Sequence, residues 1–399
     1  MRLFFKVNFK TLMLLMPLVL LQGSAVVMFC NWYYELSPYD SPPVDRKVHV
    51  LLLSSWRSGS SFLGQVFGQH PSVFYLMEPG WHVWSTMRTS GAKTLRMAVR
   101  DLMRSVFQCD FSVMDSYMPK DRKTSSFFTW YQSRALCSPP VCSVTPFGQI
   151  SNVEECQKEC HDLAFEKVTN SCQIYSHVVL KETRIFELES LYPLFQDPNL
   201  DLRIVHLIRD PRAVYRSRNE SALSFEMDNA IVLEHRAAPQ GKEQFLIMKK
   251  ICQSHIRINK TATQDPPAFL KGRYKLVRYE DVTRSPLQEI IDIYDFVGLE
   301  MTKEMEDWIL KMTHGRGTGN LNNAFEVISR NAAQVSQAWR TMVPYNEVKS
   351  IQEVCKEAMS MLRYKAVNSE EEQKRLDMDL YMPERPKGFA WESGKLQSH

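Results

Sequence analysis

The sequence predicts an α/β protein: a mostly parallel sheet flanked by helices, with a P-loop-like anion-binding loop after the first strand and a single N-terminal transmembrane helix. Three observations carry this reading. Residues 49–67, HVLLLSSWRSGSSFLGQVF, run from an apolar β-stretch through a small-residue loop holding one arginine into an amphipathic helix. Short apolar runs of strand length then recur along the chain between helical patterns, which is the signature of βαβ units. Finally, Thr11 to Cys30 contains no charged residue and is preceded by Arg2, Lys6 and Lys10.

Twenty uncharged residues suffice to span a bilayer as a helix. The basic residues precede that span and Glu35 and Asp40 follow it, so the positive-inside rule orients residues 1–10 as a cytosolic tail, 11–30 as a signal-anchor and the body on the far side. A cleaved signal peptide is the alternative, because Gly23-Ser24-Ala25 supplies small residues near a cleavage point. Either reading sends the body to the secretory lumen. Residues 31–46, with Ser37-Pro38 and Ser41-Pro42-Pro43, read as an extended stem, and residues 47–399 as the folded luminal domain.

Within that domain, strands are expected at Val48–Leu53, Val73–Met77, His177–Leu180, Leu202–Ile208 and Tyr274–Val277, each apolar enough to be buried on both faces. A helix is expected over Ala92–Phe107, where Leu95, Met97, Ala98, Leu102 and Val106 recur at helical spacing. Leu287–Phe296 reads as a helix stopped by Gly298, and Val335–Leu362 as two helical segments divided around Pro344.

Beyond Cys30, the chain carries eight cysteines, at 109, 137, 142, 156, 160, 172, 252 and 355. An even count in a luminal body points to disulfides, and the prolines at 139, 140 and 146 make Cys137–Cys172 a loop-rich, stapled insertion of undetermined connectivity. The competing reading of Cys156-x3-Cys160 is a zinc site, with His161 the one nearby histidine. Asn219-Glu220-Ser221 and Asn259-Lys260-Thr261 are glycosylation sequons.

The chemistry sits in two places with the same grammar. After the first strand, Trp56, Arg57, Ser58, Gly59, Ser60, Ser61 and Phe62 form a loop entering a helix. Backbone N–H groups converge at such a helix N-terminus, where the dipole also favours negative charge, and Arg57 can fork across two anionic oxygens. After the fourth strand, Arg209-Asp210-Pro211-Arg212-Ala213-Val214-Tyr215-Arg216-Ser217 is again a loop entering a helix, with Pro211 suited to the first turn and Asp210 to the cap. Singly, each is an ordinary helix start with solvated charges; together they suit a ligand carrying phosphate at two separated points. At the end of the second strand, Glu78 is positioned as a general base, with His82 four residues on as orienter or second candidate. Trp81 and Trp84 are sized to stack on a sugar or to fill the core, and Lys181, Glu182 and Arg184 close a further strand facing cofactor or acceptor. The formal net charge of +4, with no long Lys/Arg run, argues against a nucleic-acid partner.

The segments SSWRSGSSFLGQVFGQHPSVFYLMEPGWHVW and VHLIRDPRAVYRSR resemble the 5′-phosphosulfate and 3′-phosphate binding elements of vertebrate Golgi carbohydrate 6-O-sulfotransferases. SRALCSPPVC, SHVVLKETR, LVRYEDV and SQAWR extend the resemblance over nearly all of residues 48–365, most closely to the corneal and intestinal N-acetylglucosamine type. The resemblance implies the sulfotransferase fold and transfer of a sulfuryl group from 3′-phosphoadenosine 5′-phosphosulfate (PAPS), without a metal, to a sugar 6-hydroxyl on a glycoprotein or proteoglycan, of keratan or mucin type. It implies residence in the Golgi membrane as a single-pass type II protein and leaves the oligomeric state open. Arg57 and Ser58 to Ser61 would hold the 5′-phosphosulfate; Arg209 and Ser217 would hold the 3′-phosphate. Where those enzymes carry a C-terminal sequon, this chain reads Asn331-Ala332-Ala333. The alternatives are a galactose or N-acetylgalactosamine acceptor, a P-loop kinase that would lack the Gly-Lys-Ser/Thr ending, and a non-catalytic luminal glycan-binding protein.

Overall fold

The computed structural model describes residues 47–317 and 327–382. The expected tail, anchor and stem all lie outside them. Among the described residues no helix is long and apolar enough to cross a membrane.

Five strands form one parallel sheet: β1 (Val48–Ser54), β2 (Val73–Met77), β3 (His177–Glu182), β4 (Asp201–Ile208) and β5 (Tyr274–Arg278), in the spatial order β2-β3-β1-β4-β5. Each expected strand is present, and β3 runs two residues further than its apolar pattern, because Lys181 and Glu182 stay in register with Leu52 and Leu53 of β1. Side chains alternate across the sheet as the strand period requires. Leu51 and Leu53 enter one core with Leu180, Leu202 and Ile204; Val50 and Leu52 enter the other with Val179, Val205 and Leu207.

One face is covered by α1 (Ser60–Gly68), which buries Leu63, Val66 and Phe67, and by the helix Pro286–Val297, which ends on left-handed Gly298 at φ 81° as its sequence anticipated. The other face is covered by α2 (Gly80–Thr86), α3 (Ala92–Phe107) and the long helix Glu243–Thr263. In α3 the stripe is Leu95, Val99, Leu102, Met103 and Val106, while Met97 is exposed because it lies off that face. The C-terminal stretch is more broken than its pattern suggested: Ala332–Gln337 and Trp339–Met342 precede Pro344, and Tyr345–Val354 and Lys356–Met361 follow it.

All eight described cysteines pair, as Cys109–Cys172, Cys137–Cys156, Cys142–Cys160 and Cys252–Cys355. Cys156 and Cys160 are therefore bound to different partners, which removes the zinc reading. Of the two sequon asparagines, Asn219 is exposed near the end of the helix after β4, and Asn259 is half-buried in Glu243–Thr263.

Candidate active site

The strand order decides where a ligand can bind. From β1 the chain leaves toward β2 on one edge of the sheet, and from β4 toward β5 on the other, so the connections part between two adjacent strands. Such a switch point opens a crevice at the carboxyl ends of the strands. A cavity of about 370 Å³ lies there, lined by Arg57 to one side, Arg209, Arg216 and Ser217 to another, and Glu78 with Lys181 at the end of β2 and β3.

The β1 loop meets the cavity with its backbone. Gly59 takes φ 86° at the start of α1, and among the described residues no side chain caps that helix. Its first N–H groups, at Ser60, Ser61 and Phe62, belong to residues that line the cavity. A Cβ on Gly59 would stand 2.3 Å from the ring of Tyr279, so glycine is required both by conformation and by space. Arg57 also has positive φ, 68°, and its Nε donates to Ser217 Oγ at 2.9 Å, which ties the two loops together. Burial, then repulsion from Arg209 and Arg330, draws the Arg57 pKa down to about 10, leaving it charged at neutral pH. Trp56 lines the cavity, whereas Ser58 is fully buried and shares a 2.7 Å hydrogen bond with Ser55 Oγ behind it.

The β4 loop is built differently. Asp210 caps the helix α4 (Pro211–Glu220) by accepting from the Arg212 backbone N–H at 2.9 Å, and it also takes the Arg212 guanidinium at 2.9 and 2.8 Å. Arg212 is fully buried, stacks 4.1 Å above Trp339 and donates to Gln352 and to the Lys365 carbonyl. Tyr215 donates to Glu347 at 3.0 Å. Asp210, Pro211, Arg212, Ala213, Val214 and Tyr215 thus hold the helix in place and are not part of the cavity wall. Only Arg209, Arg216 and Ser217 of that predicted set face it. Arg209 lies 4.6 Å over Tyr279 and donates to the Arg57 carbonyl at 3.0 Å; among the described residues its buried Nε has no partner, and neither has the Nε of Arg216.

The far wall is a buried charge cluster. Glu78, at φ 48°, is ion-paired with Lys181 and with Arg184, whose Nη1 lies 2.6 Å from Oε2. Arg184 bonds Asp228 as well, at 3.1 Å, and Glu182 accepts the N–H of Gly80 at 2.8 Å. Burial alone would push the Glu78 carboxyl up; the charges of Lys181 and Arg184 outweigh it and hold the pKa at about 2. His82 is not among the cavity-lining residues. Its ring meets Trp81 and Phe127 edge-on, and burial followed by the Arg184 charge keeps it neutral, with a pKa near 4. Trp84 is fully buried, so of the two tryptophans only the half-buried Trp81, stacked on Phe128, remains near the surface.

Sequence reading missed the fourth wall. Val327, Ile328, Arg330, Gln334, Val335 and Ala338 close the cavity from the C-terminal segment, where Asn331 caps the helix Ala332–Gln337 through a 3.0 Å bond to the Gln334 N–H. Tyr279 was also missed, although its place after β5 in LVRYEDV was a usable signal.

The family described as "Sulfotransferase domain" matches residues 47–363. Human carbohydrate sulfotransferase 5 is 52% identical over 350 residues, covering 88% of this chain and 85% of that protein; human carbohydrate sulfotransferase 6 is also 52% identical, covering 88% and 89%. Among solved structures, the sulfotransferase domain from the curacin biosynthetic pathway aligns with 77% of this chain and 96% of its own, at 17% identity and a TM-score of 0.41. The chain belongs to the sulfotransferase family, as a carbohydrate sulfotransferase. That removes the kinase and the non-catalytic lectin readings.

Proposed function

We propose that the enzyme transfers the sulfuryl group of PAPS to the 6-hydroxyl of N-acetylglucosamine in keratan-type or mucin-type glycans. The observation that carries the donor half of this reading is the pairing of two basic loops, tied by the Arg57–Ser217 bond, over one cavity at the switch point. The donor set fits a nucleotide with charge at both ends. Arg57 and the uncapped N–H groups of α1 suit the 5′-phosphosulfate, and the unpartnered Nε atoms of Arg209 and Arg216, with Ser217, suit the 3′-phosphate. Bound there, PAPS supplies an activated sulfuryl group on a phosphate leaving group.

Charge in such a transfer spreads over peripheral oxygens, so positioned donors matter more than covalent chemistry. Arg57 holds a fixed charge beside the leaving phosphate and, with its pKa near 10, does not serve as proton donor at neutral pH. Glu78 is assigned as the proton acceptor. Its carboxylate is ionised throughout the physiological range, and so low a pKa suits only a proton released late, when bond formation has made the hydroxyl acidic. Lys181 and Arg184 fix its orientation and neutralise it between turns. His82 packs edge-on against Trp81 and Phe127.

The proposal places the protein in the Golgi membrane, single-pass and type II, with the anchor at residues 11–30, a membrane-proximal stem, and glycans on Asn219 and Asn259; the even cysteine count and the charge asymmetry of the N-terminus support it. Acceptor choice is tested by offering the full-length enzyme labelled PAPS with defined glycans. Label on the 6-position of N-acetylglucosamine is expected, and preference for galactose or N-acetylgalactosamine would replace the acceptor while keeping the donor site.

A further inference from the structure

Behind the β1 loop runs a line of buried polar groups that the chemistry above does not use. Ser55 and Ser58 share a hydrogen at 2.7 Å across the Trp56-Arg57 bend. Ser55 Oγ lies 3.2 Å from His255 Nε2, His255 Nδ1 lies 2.8 Å from His206 Nε2, and His206 Nδ1 lies 2.7 Å from Tyr274 OH. All five residues are buried, Ser58 and His206 completely, and the two imidazoles stack with centroids 5.0 Å apart. The line crosses three elements, β4, β5 and the helix Glu243–Thr263, to end under the loop.

We propose that Ser55 and His255 are positioning residues for the sulfated nucleotide: with His206 and Tyr274 they form a relay that clamps the phosphosulfate loop and fixes the direction of its hydrogen bonds. The loop needs a clamp, since a non-glycine residue in the left-handed region, as Arg57 is at φ 68°, is strained and persists only when its surroundings hold it. The direction follows from the donor inventory. Burial keeps both histidines neutral, His255 near pKa 4 and His206 well below its ordinary value, so each ring has one N–H and one lone pair. The relay must then run one way or the other. Run from Tyr274 O–H to His206 Nδ1, from His206 Nε2–H to His255 Nδ1, from His255 Nε2–H to Ser55 and from Ser55 O–H to Ser58, it leaves the Ser58 hydrogen over at the loop. Run in reverse, Ser58 gives its hydrogen inward to Ser55, and the line turns its negative end toward the loop. The first direction turns the positive ends of these dipoles toward the loop, which an anion held in the cavity beyond it favours, and neighbouring bonds in the line reinforce it. No proton leaves the relay; only tautomers and hydroxyl rotors change.

This inference rests on the reading of the β1 loop as the PAPS site, and the test separates the two. Binding of 3′-phosphoadenosine 5′-phosphate to the full-length protein is measured by calorimetry for the wild type, Ser55→Ala, His255→Phe and His255→Gln, with steady-state KM values for PAPS and for the glycan acceptor. Ser55→Ala and His255→Phe are expected to weaken nucleotide binding about tenfold, the upper range for one hydrogen bond, while the acceptor KM stays within twofold. His255→Gln, whose amide nitrogen can still donate to Ser55, is expected to recover affinity to within about threefold. Imidazole 15N shifts of the nucleotide complex are expected to show His255 as the Nε2–H tautomer. Wild-type binding with an unchanged Ser55→Ala affinity, or an Nδ1–H His255, overturns the relay alone. A wild type that does not bind the nucleotide overturns the site and the relay with it. Should His255→Phe not fold, Ser55→Ala, which removes a single oxygen, still decides.

Discussion

The loops after β1 and β4 read almost alike in sequence, strand, arginine, turn and helix, yet the fold uses them in opposite ways. The β1 helix begins on Gly59, which has no side chain to cap it, so its N-terminal donors remain for a ligand. The β4 helix begins on Asp210, which satisfies the Arg212 N–H and binds the Arg212 side chain, so that N-terminus is already closed. The cap residue therefore decides whether a helix start binds with backbone or only with the side chains around it. In the proposed reading the sulfuryl-transferring end falls on the open helix, and the distant phosphate falls to Arg209, Arg216 and Ser217, all of which line the cavity.

The largest effect expected from breaking this contrast is in the closed loop. Asp210→Ala strands a fully buried guanidinium and removes a cap, and should cost about 3–5 kcal/mol in denaturant unfolding. A loss below 1 kcal/mol would mean that Asp210 is free to bind ligand instead. Arg209→Ala should leave stability nearly intact and raise the KM for PAPS about 10- to 100-fold, the range for charge-assisted hydrogen bonds; an unchanged KM would remove it from the 3′-phosphate site.

Glu280 sharpens the comparison through pH, because it accepts the Asp210 backbone N–H at 3.0 Å and the Tyr364 hydroxyl at 2.9 Å. Burial, then the neighbouring Asp210 charge, raises its pKa from 4.5 to about 7. Between those values the native state binds more protons than the unfolded chain, so this contribution is complete below pH 4.5 and declines as pH rises through 7. Glu280→Gln should flatten the stability profile from pH 5 to 8 by on the order of 2 kcal/mol. A profile with the same slope in both proteins would show that Glu280 stays ionised. Glu78 works in the opposite sense: its contribution is present above the ordinary carboxyl range and is lost only as pH falls toward 2. The smallest effect is expected at His82, where His82→Phe should change turnover less than about threefold, since a neutral imidazole edge-on to Trp81 and Phe127 is replaced by a ring of similar shape. A hundredfold fall in kcat would restore His82 as a base.

What the sequence made legible was local. The five strands, α3 and the Gly298 stop are patterns within a dozen residues, and so are the two anion loops. What it hid was the direction in which side chains turn. Nothing in RDPRAVYRS distinguishes Arg209, at the cavity, from Arg212, sealed under Trp339, because the difference comes from Trp339, Gln352 and Lys365 more than 120 residues away. The C-terminal wall at Val335 was hidden for the same reason, and the cysteine pairing because spacing alone does not choose among the connectivities eight cysteines allow. Glu78 was placed correctly at the end of β2, but its two ion pairs, which set its basicity, reach across from β3 and its following turn.

The central claim is that Arg57 and the open helix α1 hold the group being transferred. It is tested most directly by incubating the full-length enzyme and its Arg57→Ala variant with labelled PAPS and an N-acetylglucosamine-terminated glycan. Wild-type transfer with a loss of about 10²- to 10³-fold in kcat for the folded variant, the scale for removing one preorganised transition-state donor, is the result expected. Equal transfer by the two proteins would contradict it.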